Sequence, residues 1–227
     1  MKNRLFEVGF RAQCGHIGSC LSCLDILDTI YREKKADDVV ILSKGHAALA
    51  LYVVLEKYGF LPSAVLNTYG AAGSVLLGHP ERMPEYGISA TTGSLGHGLP
   101  IAVGMAWADS SRRVFVVLGD GELQEGSNWE AASLAANLGL DNLVVIVDYN
   151  GFQGIERTFD VTSQIVSISY GWGFRSVNGH NVEEITDALK GKGAPVIICA
   201  HTIKGKGWKR LEGTNESHYA RLLESDL

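Results

Sequence analysis

No stretch of about eighteen uncharged apolar residues occurs in the chain, so nothing in it reads as a membrane-crossing helix. The first residues, Met1-Lys2-Asn3-Arg4-Leu5-Phe6-Glu7, lack both a continuous apolar h-region and a small-residue cleavage site, which argues against a secretory leader and for a cytoplasmic protein. Excess positive charge is missing too. The 20 basic and 25 acidic residues give a formal net charge of −5, which offers no broad cationic surface to nucleic acid or an anionic membrane. The only basic cluster, Lys204, Lys206, Lys209 and Arg210, is short and reads as a solvated loop. Cysteine is scarce: Cys14, Cys20, Cys23 and Cys199 include one C-x-x-C pair, without the second pair or nearby histidines that a zinc site would want. Cys20 and Cys23 read instead as reduced thiols packed on a helix. No repeat, low-complexity tract or linker divides the chain.

What is present suits one sizeable core. The 227 residues are 46% hydrophobic and 20% charged, and they read as a single domain over 1–227. Leu24, Leu27 and Tyr31, with Ile26 and Ile30, recur at helical spacing and predict a helix over 19–32. Apolar runs at 39–42, 114–118, 143–147 and 195–200 are β-branched-rich and continuous rather than alternating, as expected of strands covered on both faces. Helical stretches at 47–58, 98–108, 129–138 and 182–189 lie between them. The expected fold is therefore α/β: a doubly wound, mostly parallel sheet with helices on both faces and right-handed crossovers. Residues 63–93, with Gly73, Gly78, Pro80, Pro84 and Gly87, read as a long irregular loop near the site.

The most specific signal is Gly119-Asp120-Gly121 directly after one strand and Asn150-Gly151 directly after the next. Both fall at strand carboxyl ends, the edge where open parallel sheets bind ligands, and the intervening helix sets the two loops side by side. Asp120 supplies an anionic oxygen and Asn150 a neutral amide oxygen, hard ligands suited to Mg2+ (or Ca2+) completed by phosphate oxygens. Gly121 lets backbone approach a phosphate. Ala131, Ala132, Ala135 and Ala136 give the next helix a small-residue face that can pack tightly on the sheet, and Gly139 suits its C-cap. A lone Gly-Asp-Gly is usually a tight turn. With an Asn about thirty residues on, it resembles the metal motif of thiamine diphosphate-dependent enzymes.

Four further segments narrow the resemblance: Gly15-His16-Ile17-Gly18, Ser43-Lys44-Gly45-His46, Gly78-His79-Pro80-Glu81 and Thr91-Thr92-Gly93-Ser94-Leu95-Gly96-His97-Gly98. In order and spacing they resemble the amino-terminal half of transketolase, from about residue 11 to His218. The resemblance implies that Asp120 and Asn150 hold the metal by side chain and Phe152 by its carbonyl oxygen. It implies that His16, His46, His79 and His218 surround the thiazolium ring and the substrate carbonyl, with His46 and His218 also near the diphosphate. It places Gly93, Ser94 and Leu95 against the cofactor rings and Gly119, Asp120, Gly121 and Asn150 at its diphosphate. Glu125 and Glu130 match interface carboxylates that face a partner's active site. His97 stands where family members often carry Gln. Ketol transfer moves protons to and from sugar hydroxyls as a carbon–carbon bond breaks, work suited to imidazoles.

Transketolase also needs a pyrimidine domain carrying the glutamate that engages the aminopyrimidine. The resemblance ends before that domain, so a second, carboxyl-terminal transketolase-like chain is expected, with two copies of each in a two-fold heterotetramer. The expected activity is transfer of a two-carbon ketol unit from a ketose (phosphate) to an aldose (phosphate). The alternatives are the alpha subunit of a 2-oxo-acid dehydrogenase first component, against which the Gly-His-Pro-Glu segment and the contexts of His16 and His46 argue, and a non-catalytic scaffold half. Pentose-phosphate metabolism and a specialised sugar or sulfosugar pathway are equally open.

Overall fold

A computed structural model describes residues 1–159, 171–191 and 193–227. Among these, five parallel strands form one sheet: β1 (Val39–Leu42), β2 (Val114–Gly119), β3 (Leu143–Tyr149), β4 (Gly173–Asn178) and β5 (Val196–His201). Their order is β1-β2-β3-β5-β4. The continuous apolar runs become the inner strands because both faces are covered, and period-2 alternation divides their side chains between two cores. Phe115, Val117, Val144 and Ile146 join one core with α1 (Lys2–Ala12), α2 (Ile17–Glu33) and α3 (Ala48–Lys57). Val114, Val116, Val145 and Val147 join the other with α5 (Gly98–Ala108) and α6 (Gly126–Leu138). The doubly wound sheet expected from the sequence is the one observed.

The expected helices and strands recur with ends shifted by a few residues, and among the described residues three elements are additional, one of them a short helix inside the 63–93 loop. Helix α1 was not anticipated, nor was β4, an edge strand whose residues are half-buried or exposed and so form no apolar run. Helix α6 packs chiefly on α5 rather than directly on the sheet. It ends, as expected, at Gly139 in the left-handed region, φ 60°. Residues 63–93 are largely irregular, with one short helix, α4 (Ser63–Leu66), and a 3₁₀ turn at Pro84–Tyr86. The loop is tied down by hydrogen bonds from Tyr52 Oη to Leu77 O (3.0 Å), Thr92 N to Pro80 O (3.1 Å) and Thr92 Oγ1 to Leu42 O (2.7 Å). Helix α7 (Val182–Ala188) precedes β5 and starts at Asn181, whose side chain caps Glu183 N and Glu184 N. Cys20 and Cys23 are buried, unpaired thiols. No described helix is long and apolar enough to cross a membrane.

Candidate active site

The carboxyl ends of three strands open into one cavity of about 370 Å³. Strand β1 delivers Lys44 and His46, β2 delivers Gly119, Asp120 and Gly121, and β3 delivers Asn150. Beyond β5 the chain brings Lys204 beside Gln153 and returns with His218. A second cleft of about 470 Å³, between the start of α1 and residues 207–210, receives no strand end and none of the motifs.

The four histidines, scattered over two hundred residues, meet at this cavity. The His16 ring centroid lies 5.2 Å from that of His46, 6.3 Å from His79 and 4.7 Å from His218. His16 caps α2 in the left-handed region at φ 63°, unusual for a non-glycine residue, and its N–H donates to His218 O at 2.7 Å. Close backbone approach explains two glycines here. A Cβ on Gly45 would lie 2.7 Å from Gly93 N, and one on Gly93 would lie 2.9 Å from His79 Cδ2. Leu95, Phe152 and Glu125 also line the cavity, whereas Ser94 and Glu130 are exposed outside its lining, as is His97.

Electrostatically the cavity lacks a partner. Burial, then the neighbouring His79 and Lys204, pushes the His16 pKa down to about 4, and burial followed by Lys204 pushes His218 down to about 3. Burial and then Lys44 hold His46 well below the ordinary range. All three imidazoles are neutral at pH 7. Burial, then Lys44, lowers Lys204 to about 8, while burial and the Asp148 charge raise Asp120 to about 6 against hydrogen bonds from Gly151 and Gly121. Nδ1 of His16 and of His218 are buried with no hydrogen-bond partner among the described residues. Orphaned polar atoms, a depressed lysine and a raised carboxyl all suit a bound polyanion with a cation between it and Asp120.

The residues at the Gly-Asp-Gly and Asn positions fit a hard cation. Asp120 Oδ2 accepts from Gly151 N at 2.6 Å and Oδ1 from Gly121 N at 2.9 Å, which binds the two loops to each other. Asn150 Oδ1 accepts from Phe152 N at 3.1 Å. Among the described residues no group of three or more His, Cys, Asp or Glu could hold a metal alone. A cation held by the Asp120 carboxylate and the Asn150 amide would keep positions for phosphate oxygens, the pattern magnesium prefers. Gly121 is required locally as well, since a Cβ there would lie 2.8 Å from Gln153 Cβ.

Sequence reasoning missed several groups. Lys204, expected in a solvated loop, is 1% exposed, and its ammonium donates to Gln153 O (3.3 Å) and Asn215 Oδ1 (3.4 Å). This corrects the solvated reading. Buried Asp148, an acid inside an apolar strand, carried a signal, since such a charge needs a partner, and Lys44 supplies it. Burial opposes the Lys44 charge, but Asp148 outweighs it and leaves the ammonium more basic than usual. Glu122, next after the Gly-Asp-Gly, is also buried.

Comparison with known proteins agrees with this arrangement. The family described as "Transketolase, thiamine diphosphate binding domain" matches residues 7–227. The chain is 38% identical over 242 residues to an apulose-4-phosphate transketolase subunit of Phocaeicola vulgatus, covering 96% of this chain and 85% of that one. It is 36% identical over 245 residues to the "6-deoxy-6-sulfo-D-fructose transketolase subunit SqwG" of a Clostridium species, covering 98% and 89%. Among solved structures, the transketolase of Campylobacter jejuni superposes with a TM-score of 0.76 at 28% identity, over 95% of this chain and 41% of that one.

Proposed function

The chain belongs to the transketolase family through its thiamine diphosphate-binding domain, and from that premise we propose that it is the amino-terminal subunit of a split transketolase. Two relatives of which it covers 85% and 89% are themselves named as transketolase subunits, which supports that reading. Its reaction is transfer of a two-carbon ketol unit from an anionic ketose to an aldose, in the cytoplasm, by a two-fold heterotetramer with a carboxyl-terminal transketolase-like chain. The observation that carries it is the meeting of His16, His46, His79 and His218 above the Asp120–Asn150 edge.

Bound thiamine diphosphate supplies the nucleophilic carbon that takes up the two-carbon fragment. The chain's own residues bind and orient. Asp120, Asn150 and the Phe152 carbonyl would hold Mg2+, Lys204 and His218 would offer hydrogen bonds to the diphosphate, and the backbone at Gly93 and Leu95 would meet the rings. His16 and His46, held neutral by burial, each offer a ring nitrogen that can accept a proton, and one of them takes the hydroxyl proton of the donor sugar as its carbon–carbon bond breaks. His79 sits on the tethered 63–93 loop, on the substrate side. The cavity mouth is bordered by Tyr219, 65% exposed, and by Gly154, followed in the chain by Ile155, 82% exposed. On α5 and α6, Trp107, Leu134 and Leu138 are exposed as well. Apolar groups at those places suit burial against partner chains.

The test is an assay of the assembled enzyme that compares a ketose phosphate plus an aldose phosphate with pyruvate plus an artificial electron acceptor. Ketol transfer is expected. Turnover of pyruvate alone would favour the 2-oxo-acid dehydrogenase alternative, and absence of any thiamine-dependent stabilisation would favour a scaffold.

A further inference from the structure

Three segments that the sequence presents as separate motifs converge on one buried carboxylate. Glu122 is 2% exposed. Its Oε1 accepts from Gly96 N at 2.9 Å and from the Ser43 hydroxyl, and its Oε2 accepts from Gly119 N at 3.1 Å. Ser43 Oγ in turn accepts from Gly98 N at 3.1 Å. The backbone of Glu122 is fixed too, because its carbonyl accepts from Asn128 Nδ2 at 2.7 Å and Glu125 N at 3.0 Å. Nothing bulkier fits between the parts: a Cβ on Gly98 would lie 2.2 Å from Ser43 Oγ, and Gly96 sits at φ +83°.

We propose that Glu122 is a positioning residue that locks the ring-side loop 93–96 to the diphosphate-side loop 119–121 and to the Ser43–His46 segment. The inference rests on the family reading of the cavity and goes beyond it, since Glu122 is assigned no contact with metal or reacting atoms. Burying a carboxylate is costly unless its lone pairs are satisfied, and here two backbone N–H groups and a hydroxyl satisfy them. The two loops depend on it unequally. Gly119 is also held by its place in β2 beside β3, whereas the Gly96 N–H has no acceptor other than Glu122 among the described residues. Loss of the carboxylate therefore frees the ring-side loop first.

The experiment uses the full chain as wild type, Glu122→Gln and Glu122→Asp. The Gln variant replaces one acceptor oxygen by a donor, and the shorter Asp variant keeps the charge but cannot span Gly96 and Gly119. Amide hydrogen exchange is followed by NMR on the chain, and calorimetry with Mg2+ on the chain assembled with its partner gives affinities for thiamine diphosphate and for inorganic diphosphate. In both variants the Gly96 amide should exchange at least about tenfold faster, the factor that loss of one charge-assisted bond carries, with β2 and β3 amides unchanged. Affinity for thiamine diphosphate should fall at least about tenfold while that for diphosphate stays within about threefold. If Glu122→Gln does not fold, Glu122→Asp carries the same expectation. Unchanged Gly96 exchange, or equal weakening of both ligands, overturns the role. A wild-type chain that, assembled with its partner, binds diphosphate but no thiamine diphosphate contradicts the family reading instead, and the exchange measurement still decides the role of Glu122.

Discussion

The Lys44 ammonium and the Asp148 carboxylate form an ion pair with both side chains buried beneath the Asn150 amide. Asp148 Oδ2 also accepts from Ser22 Oγ at 2.6 Å and lies 3.5 Å from Asn150 Nδ2, while Oδ1 accepts from the Thr202 hydroxyl. The Asn150 amide is thereby oriented from below, with Nδ2 toward Asp148. Two of the strand ends that frame the cavity, β1 and β3, are joined through this one carboxylate, and Thr202 after β5 makes a third.

Breaking such a pair leaves one charge buried and uncompensated. Lys44→Met should lower stability by about 3–5 kcal/mol, and combining it with Asp148→Leu should recover most of that loss. Urea denaturation measures both. The double variant should still bind cofactor poorly, because Asn150 loses its support.

Asp120→Ala or Asn150→Ala should abolish metal-dependent cofactor binding while leaving the fold intact, since each removes an oxygen from an octahedral site. Calorimetric titration of the assembled enzyme with thiamine diphosphate and magnesium is the measurement. Binding unchanged in both variants would contradict the motif assignment.

His79→Ala should mainly damage turnover with ketose donors, by about a hundredfold to ten-thousandfold, the usual contribution of a positioned acid or base. Steady-state kinetics separates the cases. Full turnover with weakened cofactor affinity would place His79 on the cofactor instead.

Stability should fall as the solution is acidified from pH 6.5 toward 4. His16 and His218 titrate at about 4 and 3 in the folded chain, against 6.5 for a free imidazole, so in that window only the unfolded chain takes up their protons. The loss should be on the order of 2 kcal/mol by pH 5, after allowance for solvent reaching the partly open cavity. Asp120, raised to about 6, opposes it in part, because its folded form binds a proton over the same range. Denaturation midpoints against pH should give a shallower slope for His218→Asn than for the wild type.

How much of this was legible follows from where the signal lies. The inner strands announced themselves because burial on both faces demands continuous apolar runs, and the spacing of the turns after β2 and β3 pointed to the cavity edge that both of them line. Strand β4 did not, since an edge strand reading Gly-Phe-Arg-Ser-Val-Asn leaves most of its side chains half in water. Helix α1 buries only Leu5, Phe6, Val8 and Gly9, too sparse a stripe beside the polar residues around it. Lys204 looked like its neighbours Lys206 and Lys209. Only the tertiary return of the chain past Gln153 and Asn215 buries it. The role of Glu122 was hidden for the same reason, because its partners come from residues 43, 96 and 119.

The split-enzyme account stands on dependence between two chains. This chain alone should show no ketol transfer with saturating thiamine diphosphate and magnesium, and weak cofactor affinity at best, because the aminopyrimidine end finds no partner. Titration with a separately expressed chain resembling the carboxyl-terminal half of transketolase should restore activity and raise the light-scattering mass together. Glu125→Ala and Glu130→Ala should weaken that assembly, since both carboxylates are exposed in the free chain and matched to the family's interface. Activity and mass rising in step across the titration is the predicted result. Strong ketol transfer by this chain on its own would contradict the account.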